Sequence, residues 1–460
     1  MNTVPVVIIG AGPAGMTAAR TLAEHQVDTL LLDEQSQVGG QIYRRVQQVS
    51  QQTPQRAAQL GQDYMYGAKL AQSLPGEYLQ QVLGAKVWRV DSGGAIAYSV
   101  GTKAHEIQVE QLILATGAQE RPFAFPGWTL PGVMTAGAAQ ILLKAHGLAV
   151  NNAVLVGNGP LLYLIASQLL ACGYPPQAVV ETQVAGAWQK ALPHLPKAML
   201  QGHRYLIKGL KMLAALKKAG IPHYTKATDI QAVGEQELRQ ITFRQGDKTH
   251  TLETECALIH QGVIPNTQIS RALNLPHHWS EQQQCWSPVT DHWGGSSNPA
   301  VYIAGDGAGI GGARAAELAG ELTALQVLQQ RGVLTKAQRD TCAKSIRRQL
   351  TRELAVRPFL DYRYAADNRT LLTHDETLVC RCEEVTAGQI REYAQLGCRG
   401  LNQTKSFSRC GMGPCQGRQC GLNAALVLAD ERGVAVEGID YYRIRPIIKP
   451  VTLGEMAGLA

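Results

Sequence analysis

Residues 4–9, Val-Pro-Val-Val-Ile-Ile, form a continuous apolar run suited to a buried parallel strand, and 16–25 follow with helical character. A second apolar run, Thr29–Leu32, comes next. Residues 45–75 are rich in Gln and helix formers and predict a surface helix. From Tyr78 to Gly101 short apolar runs alternate with turns at Gly84 and Ser92-Gly93-Gly94, the pattern of a small β-meander. Leu112–Leu114 and Val154–Val156 predict further short strands. Tyr205–Gly220 carries Leu206, Leu210, Leu213 and Leu216 at helical spacing, with Lys208, Lys211, Lys217 and Lys218 expected on its wet face or in a docking patch for an acidic partner. Val301–Ala304 predicts a last strand before a helix over Ala313–Gln329. Gly332 to about Thr373 reads as charged helix without motifs. The tail from Tyr441 to Val451 carries two prolines that exclude a helix there.

Glycines at the ends of two of these strands bring in chemistry. Gly10-Ala11-Gly12-Pro13-Ala14-Gly15 lies between the first strand and its helix, and Asp33 and Glu34 close the second strand about 20 residues on. This is the dinucleotide-binding βαβ fingerprint: a tight turn at Gly10, close backbone approach to a pyrophosphate at Gly12, and helix–strand packing at Gly15. Pro13 and Ala14 open the helix whose N-terminus faces the phosphates. Asp33 fits the ribose-binding position, with its neighbour Glu34 the alternative. A second fingerprint, Gly157-Asn158-Gly159-Pro160-Leu161-Leu162, departs from the pattern. Leu162 replaces the third glycine and is expected to push helix and strand apart or displace a dinucleotide. Glu181 ends the next strand, with no Arg cluster after it for a 2′-phosphate. The expectation is a retained fold without catalytic NAD(P) binding.

The chain has ten cysteines, and those near the C-terminus pair as Cys380-Arg381-Cys382 and Cys415 to Cys420, beside the glycine-rich run Gly411, Gly413, Gly417. Four thiolates complete the shell of one iron–sulfur cluster. Structural zinc and unliganded core cysteines are the alternatives; C-x-C spacing counts against zinc, because zinc sites usually space cysteines by two to four residues. The stretch 379–420 resembles the small [2Fe–2S] module of bacterioferritin-associated ferredoxins and the end of the FAD subunit of anaerobic glycerol-3-phosphate dehydrogenase. That resemblance implies Cys380, Cys382, Cys415 and Cys420 as ligands, in preference to Cys410. Cys172, Cys256, Cys285, Cys342 and Cys398 read as ordinary thiols. No redox-active pair stands near Gly39-Gly40 or within 146–265, so dithiol chemistry is not expected. His260, His292 and His374 are isolated and read as packed or surface residues.

Composition narrows the class. At 460 residues, 45% hydrophobic and 17% charged, the chain is globular and too long for one ordinary core. A net charge of +7 with no Lys/Arg block gives no reason to expect nucleic acid. Neither an export signal nor the ~20 apolar residues of a spanning helix is visible, so a soluble, cytoplasmic protein is expected. Peripheral association with a membrane stays open.

Further motifs carry a family resemblance. Gly39-Gly40-Gln41-Ile42 resembles the segment that lies along the cofactor in FAD-containing reductases. Ala115-Thr116-Gly117 resembles the second FAD motif of two-dinucleotide-domain flavoproteins. Gly305-Asp306 resembles the motif whose aspartate binds the ribityl chain, and Val87 sits where such folds let backbone touch adenine. Over its full length the chain resembles the FAD-containing α-type subunits of bacterial heteromeric amino-acid dehydrogenases, among them opine oxidases, hydrogen cyanide synthase, and D-hydroxyproline and L-proline dehydrogenases. The resemblance implies a glutathione-reductase-like α/β flavoprotein. Its FAD-binding domain would span 1–145 and 266–330, with an NAD(P)-binding-like domain inserted at 146–265. A helical linker at 331–375 and a small helical [2Fe–2S] domain with tail at 376–460 complete the chain. It further implies an electron relay through FAD and [2Fe–2S], with a D-amino-acid-oxidase-like FAD subunit oxidising the C–N bond. A small ferredoxin-like subunit often completes such assemblies, and in some an FMN sits between the large subunits. The rival expectations are a free-standing NAD(P)H oxidoreductase and a scaffold subunit without turnover.

Overall fold

The computed structural model describes residues 2–459. Two seven-stranded sheets dominate it. In the first, Asn2–Ile9 lies between Thr29–Asp33 and Lys103–Leu114, in parallel with both. Leu79–Leu83 extends the parallel order beyond Thr29–Asp33, and Val301–Ile303 pairs with the end of Lys103–Leu114. The run after Tyr78 is therefore not all meander: Leu79–Leu83 joins the parallel sheet, and only Ala85–Val90 and Ala95–Val100 form antiparallel ribbon. Val6, Val7 and Ile8 are fully buried because both faces are covered.

The expected single helix over 45–75 is three: Val46–Gln52, Pro54–Leu60 and Gln62–Gln72. Pro54 starts the second and Gly61, at φ +96°, separates it from the third. Val46, Val49, Leu60 and Tyr64 are buried, so this face belongs to the core.

The second sheet runs in the order Lys248–Glu253, Gln240–Gln245, His223–Val233, Ala178–Thr182, Val154–Asn158, Ala257–Gln261, Val133–Thr135. It thus begins at Val133, ahead of residue 146, because that strand pairs in parallel with Ala257–Gln261. The chain leaves the first sheet through Ala118–Glu120 and returns through Val263–Pro265, and the two crossings pair antiparallel. Arg121, buried beside them, donates to the carbonyls of Gln261, Gln283 and Gln284.

Helix Lys336–Leu354, opened by a capping box of Thr335 and Gln338, begins the charged linker. The C-terminal module combines a short pairing of Leu378–Cys380 with Val385–Thr386 and the helices Ala387–Gln395, Leu401–Ser408 and Gly421–Glu431. Its tail lies over the first sheet: the Ile448 N–H donates to Trp88 O, and Lys449 pairs with Glu34 at 2.6 Å.

Candidate functional site: a dinucleotide crevice and a cysteine cluster

The first crevice forms at the N-terminus of helix Pro13–Glu24. Gly10 has φ +109°, and a Cβ there would meet Ala115 O at 2.3 Å; a Cβ on Gly15 would meet Gly10 O at 1.8 Å. Both close approaches require glycine. The Gly39 N–H donates to Ala11 O, and Gly40 abuts Gly12, so the Gly39-Gly40-Gln41 turn lies on the fingerprint loop. Gly305 approaches Ala14, and the Asp306 carboxylate accepts from Gly311 and Gly312 at 2.9 Å each. Thr116 and Gly117 reach Asn266, just past the returning strand Val263–Pro265. These stretches, far apart in sequence, ring one cleft.

The two acids divide. Asp33 accepts from Ala11 N at 2.6 Å and Gln35 N at 2.7 Å, and burial raises its pKa despite those bonds. Glu34 is exposed and paired to Lys449. Val87 is buried on Ala85–Val90, next to the Gly84–Gln35 backbone bond and so on the Asp33 side of the cleft.

Two cations here have no signature in the sequence. Arg44, 9% exposed, donates to Gln41 Oε1. Lys144, 2% exposed on helix Ala136–His146, donates to Ile42 O at 2.9 Å and Gln140 Oε1 at 2.8 Å. Burial, with the Arg44 charge beside it, lowers its pKa to about 7.

The second crevice keeps its glycine turn but not its opening. Leu162 does not prise helix and strand apart: it is fully buried in a cluster with Leu155, Ile165 and Leu258. Residues 363–369 lie across the C-terminal strand ends, where open α/β sheets take their ligands. Asn158 Nδ2 donates to Ala365 O at 2.8 Å, the Asp367 N–H to Gln261 Oε1 at 3.3 Å, and Arg369 to Gln183 O at 3.1 Å. Glu181, the strand-end acid, is held by Arg363 at 3.0 Å and His223 at 3.1 Å. Burial would raise its pKa; hydrogen bonds from His223 and Tyr163 and the Arg363 charge outweigh that and lower it.

The cysteine module contains a third site. The sulfurs of Cys380, Cys410 and Cys420 lie within 4.8 Å of one another, all buried. Cys415 neighbours Cys420 on one side and Cys382 on the other. The fold brings Cys410 together with the four thiols expected as ligands, with Cys382 on the exposed rim. Hydrogen bonds from the Cys410 and Cys420 thiols, joined by backbone N–H groups of Gly411 and Glu383, hold Cys380 far below the thiol range, at about 2. The same contact with Cys380 pushes Cys410 up to about 12. Tyr442 is buried beside Cys410, in a space that Gly411 and Gly417 leave free. The module docks on the crossings between the sheets: Gln119 donates to Arg418 O and Gln268 to Gln416 O, each at 2.8 Å, and Trp128 to Leu378 O at 2.7 Å.

A family model described as pyridine nucleotide-disulphide oxidoreductase matches residues 4–321, and one described as sarcosine oxidase A3 domain matches residues 374–459. The chain is 40% identical over 461 residues to the A-type subunit of opine oxidase from Rhizobium meliloti (strain 1021), covering 100% of this chain and 99% of the relative. It belongs to the family of opine oxidase A-type subunits. Hydrogen cyanide synthase subunit HcnB of Pseudomonas aeruginosa is a further relative of this family member, at 33% identity and 91% coverage of each chain. The fold matches L-proline dehydrogenase from P. horikoshii with a TM-score of 0.70 at 19% identity, over 99% of this chain and 79% of that one. Thioredoxin reductase from T. acidophilum matches over 72% of this chain and 99% of its own, with a TM-score of 0.50 at 18% identity. The opine oxidase family member described here is an oxidoreductase with an FAD-type dinucleotide domain. Among the described residues no helix is long and apolar enough to cross a membrane.

Proposed function

We propose that this chain is the FAD- and [2Fe–2S]-carrying electron-transfer subunit of a heteromeric dehydrogenase that oxidises the C–N bond of an amino acid, imino acid or opine. The observation that carries the reading is the gathering of buried thiols on the module that docks beside the first crevice. The donor set fits a two-iron group: Cys382 neighbours Cys415, and Cys380 neighbours Cys420, giving two adjacent thiol pairs. Cys410 then lies behind Cys380 and Cys420 as a neutral thiol donor under Tyr442. When bound, FAD would accept an electron pair and the cluster single electrons. Gly10, Gly12, Pro13, Ala14 and Gly15 would hold the pyrophosphate; Asp33, with Glu34 beside it, the ribose end; Val87 the adenine. Gly40, Gln41, Thr116, Gly117, Gly305 and Asp306 would line the flavin side.

Relatives of this chain are named as subunits, which supports a heteromeric assembly; the partner expected from the family resemblance is an FAD subunit of the D-amino-acid-oxidase type. The remaining family expectations are an FMN between the large chains and a small ferredoxin-like subunit. The filled second crevice supports this relay over a free-standing NAD(P)H reductase, and the intact first crevice favours it over a scaffold. The test is dye reduction with opines, proline derivatives and glycine as donors. The isolated chain should hold FAD and accept electrons from dithionite, yet turn over none of these. Coexpression with the partner should restore turnover; robust activity of the chain alone would overturn the assignment.

A further inference from the structure

Helix His203–Lys218 carries apolar residues on two faces. Leu206, Met212, Leu213 and Leu216 pack on the domain, as their spacing requires. Leu210, expected with them, instead points outward at 66% exposure, and Ile207 is exposed at 48%. At about 100° per residue, Ile207, Leu210 and Ala214 fall within an arc of about 60°, bordered by Lys217 on one side and by Lys211 and Lys218 on the other. One connecting residue earlier, helix Leu195–Gln201 ends with Met199 and Leu200 exposed at 59% and 77%. Between Glu181 and Asp229 the chain has no carboxylate. Arg204 and Lys208 are paired to Glu353 and Asp63, whereas Lys211, Lys217 and Lys218 make no ion pair among the described residues.

From this we infer that the Met199–Lys218 face seats the protein on an anionic lipid surface, with the apolar stripe among the acyl chains and the lysines at the headgroups. Charge complementarity selects this occupant. Lysine is depleted from protein–protein interfaces, while an outward apolar stripe bordered by lysines is the pattern of helices lying in a membrane interface. The contact is peripheral and does not depend on the redox assignment.

Sedimentation of the full chain with vesicles tests it. The protein should pellet with phosphatidylcholine vesicles containing phosphatidylglycerol, remain free with phosphatidylcholine alone, and be released by high salt. Lys211→Gln with Lys217→Gln and Lys218→Gln should weaken the partition by about a hundredfold, and Leu200→Ser with Leu210→Ser should also abolish pelleting. Both variants alter exposed side chains, and bound flavin and melting temperature report their folding. Failure of the wild type to pellet would overturn the inference in favour of an acidic protein partner. Wild-type-like binding by both variants would overturn the assignment to this face.

Discussion

Arg363 holds Glu181 at 3.0 Å, so the acid that would meet a nucleotide ribose in the second crevice is already bound within the chain. With Ala365 on Asn158 and Arg369 on Gln183, the linker occupies the strand ends that a nicotinamide nucleotide would need. NADH and NADPH are accordingly expected to leave the bound flavin oxidised over seconds in stopped-flow absorbance. Bleaching within milliseconds would show that the linker yields.

The cysteines should separate by role. Anaerobically purified protein is expected to contain about two irons and two sulfides per chain, and serine at Cys380, Cys382, Cys415 or Cys420 should remove or cripple that centre. Cys410→Ala should keep the iron but lower the reduction potential. The fall should be on the order of 50 mV, the one-electron equivalent of losing a hydrogen-bond donor worth about 1 kcal/mol. Loss of iron in Cys410→Ala, measured by metal analysis and electron paramagnetic resonance, would make it a ligand.

Lys144 gives a pH signature. Its folded pKa of about 7 lies below the ordinary 10.5, so between these values the unfolded chain binds the extra proton. Stability from this group therefore rises as pH increases through that window, and its burial cost is fully felt below it. Lys144→Met should be most stable relative to wild type near pH 6, with the gap narrowing towards pH 10 in urea titrations. A gap independent of pH would show that Lys144 is not the buried cation described.

Gly320 packs helix Ala313–Gln330 on the fingerprint helix, and a Cβ there would meet Ala14 O at 2.1 Å. Gly320→Ala should cost roughly 1–3 kcal/mol by overpacking and, by shifting Ala14, reduce retained flavin. Thermal unfolding together with flavin absorbance of the purified variant measures both effects.

The fingerprint half of the first crevice was legible because its residues are local: glycines, helix start and strand-end acid follow within one βαβ unit, whereas Gly40, Thr116, Gly117 and Asp306 were readable only through the family resemblance. The cysteine module was legible for the same reason, apart from Cys410, whose place depends on how the 409–420 loop folds over Leu378–Cys380. Arg363, Arg369 and Lys144 were not legible. Each acts on a partner that folding brings from a distant stretch, and no spacing rule marks a lone Lys or Arg for that use. The place of Leu162 was not legible for a related reason: the residues that take the leucine into a buried cluster, Leu155, Ile165 and Leu258 among them, come from three different elements. Leu210 kept its period and lost its face, since a helical repeat does not say which side meets the domain.

Arg121, clamped by three carbonyls from two separate stretches, changes what the paired crossings can do. Two strands alone would make a pivot on which one sheet could swing against the other. With a guanidinium buried across them, and the cysteine module fastened to the same place through Gln119 and Gln268, the junction becomes a keystone. In the proposed relay such a junction would hold the flavin cleft and the thiol pocket at one spacing, so that electrons, not domains, would do the travelling.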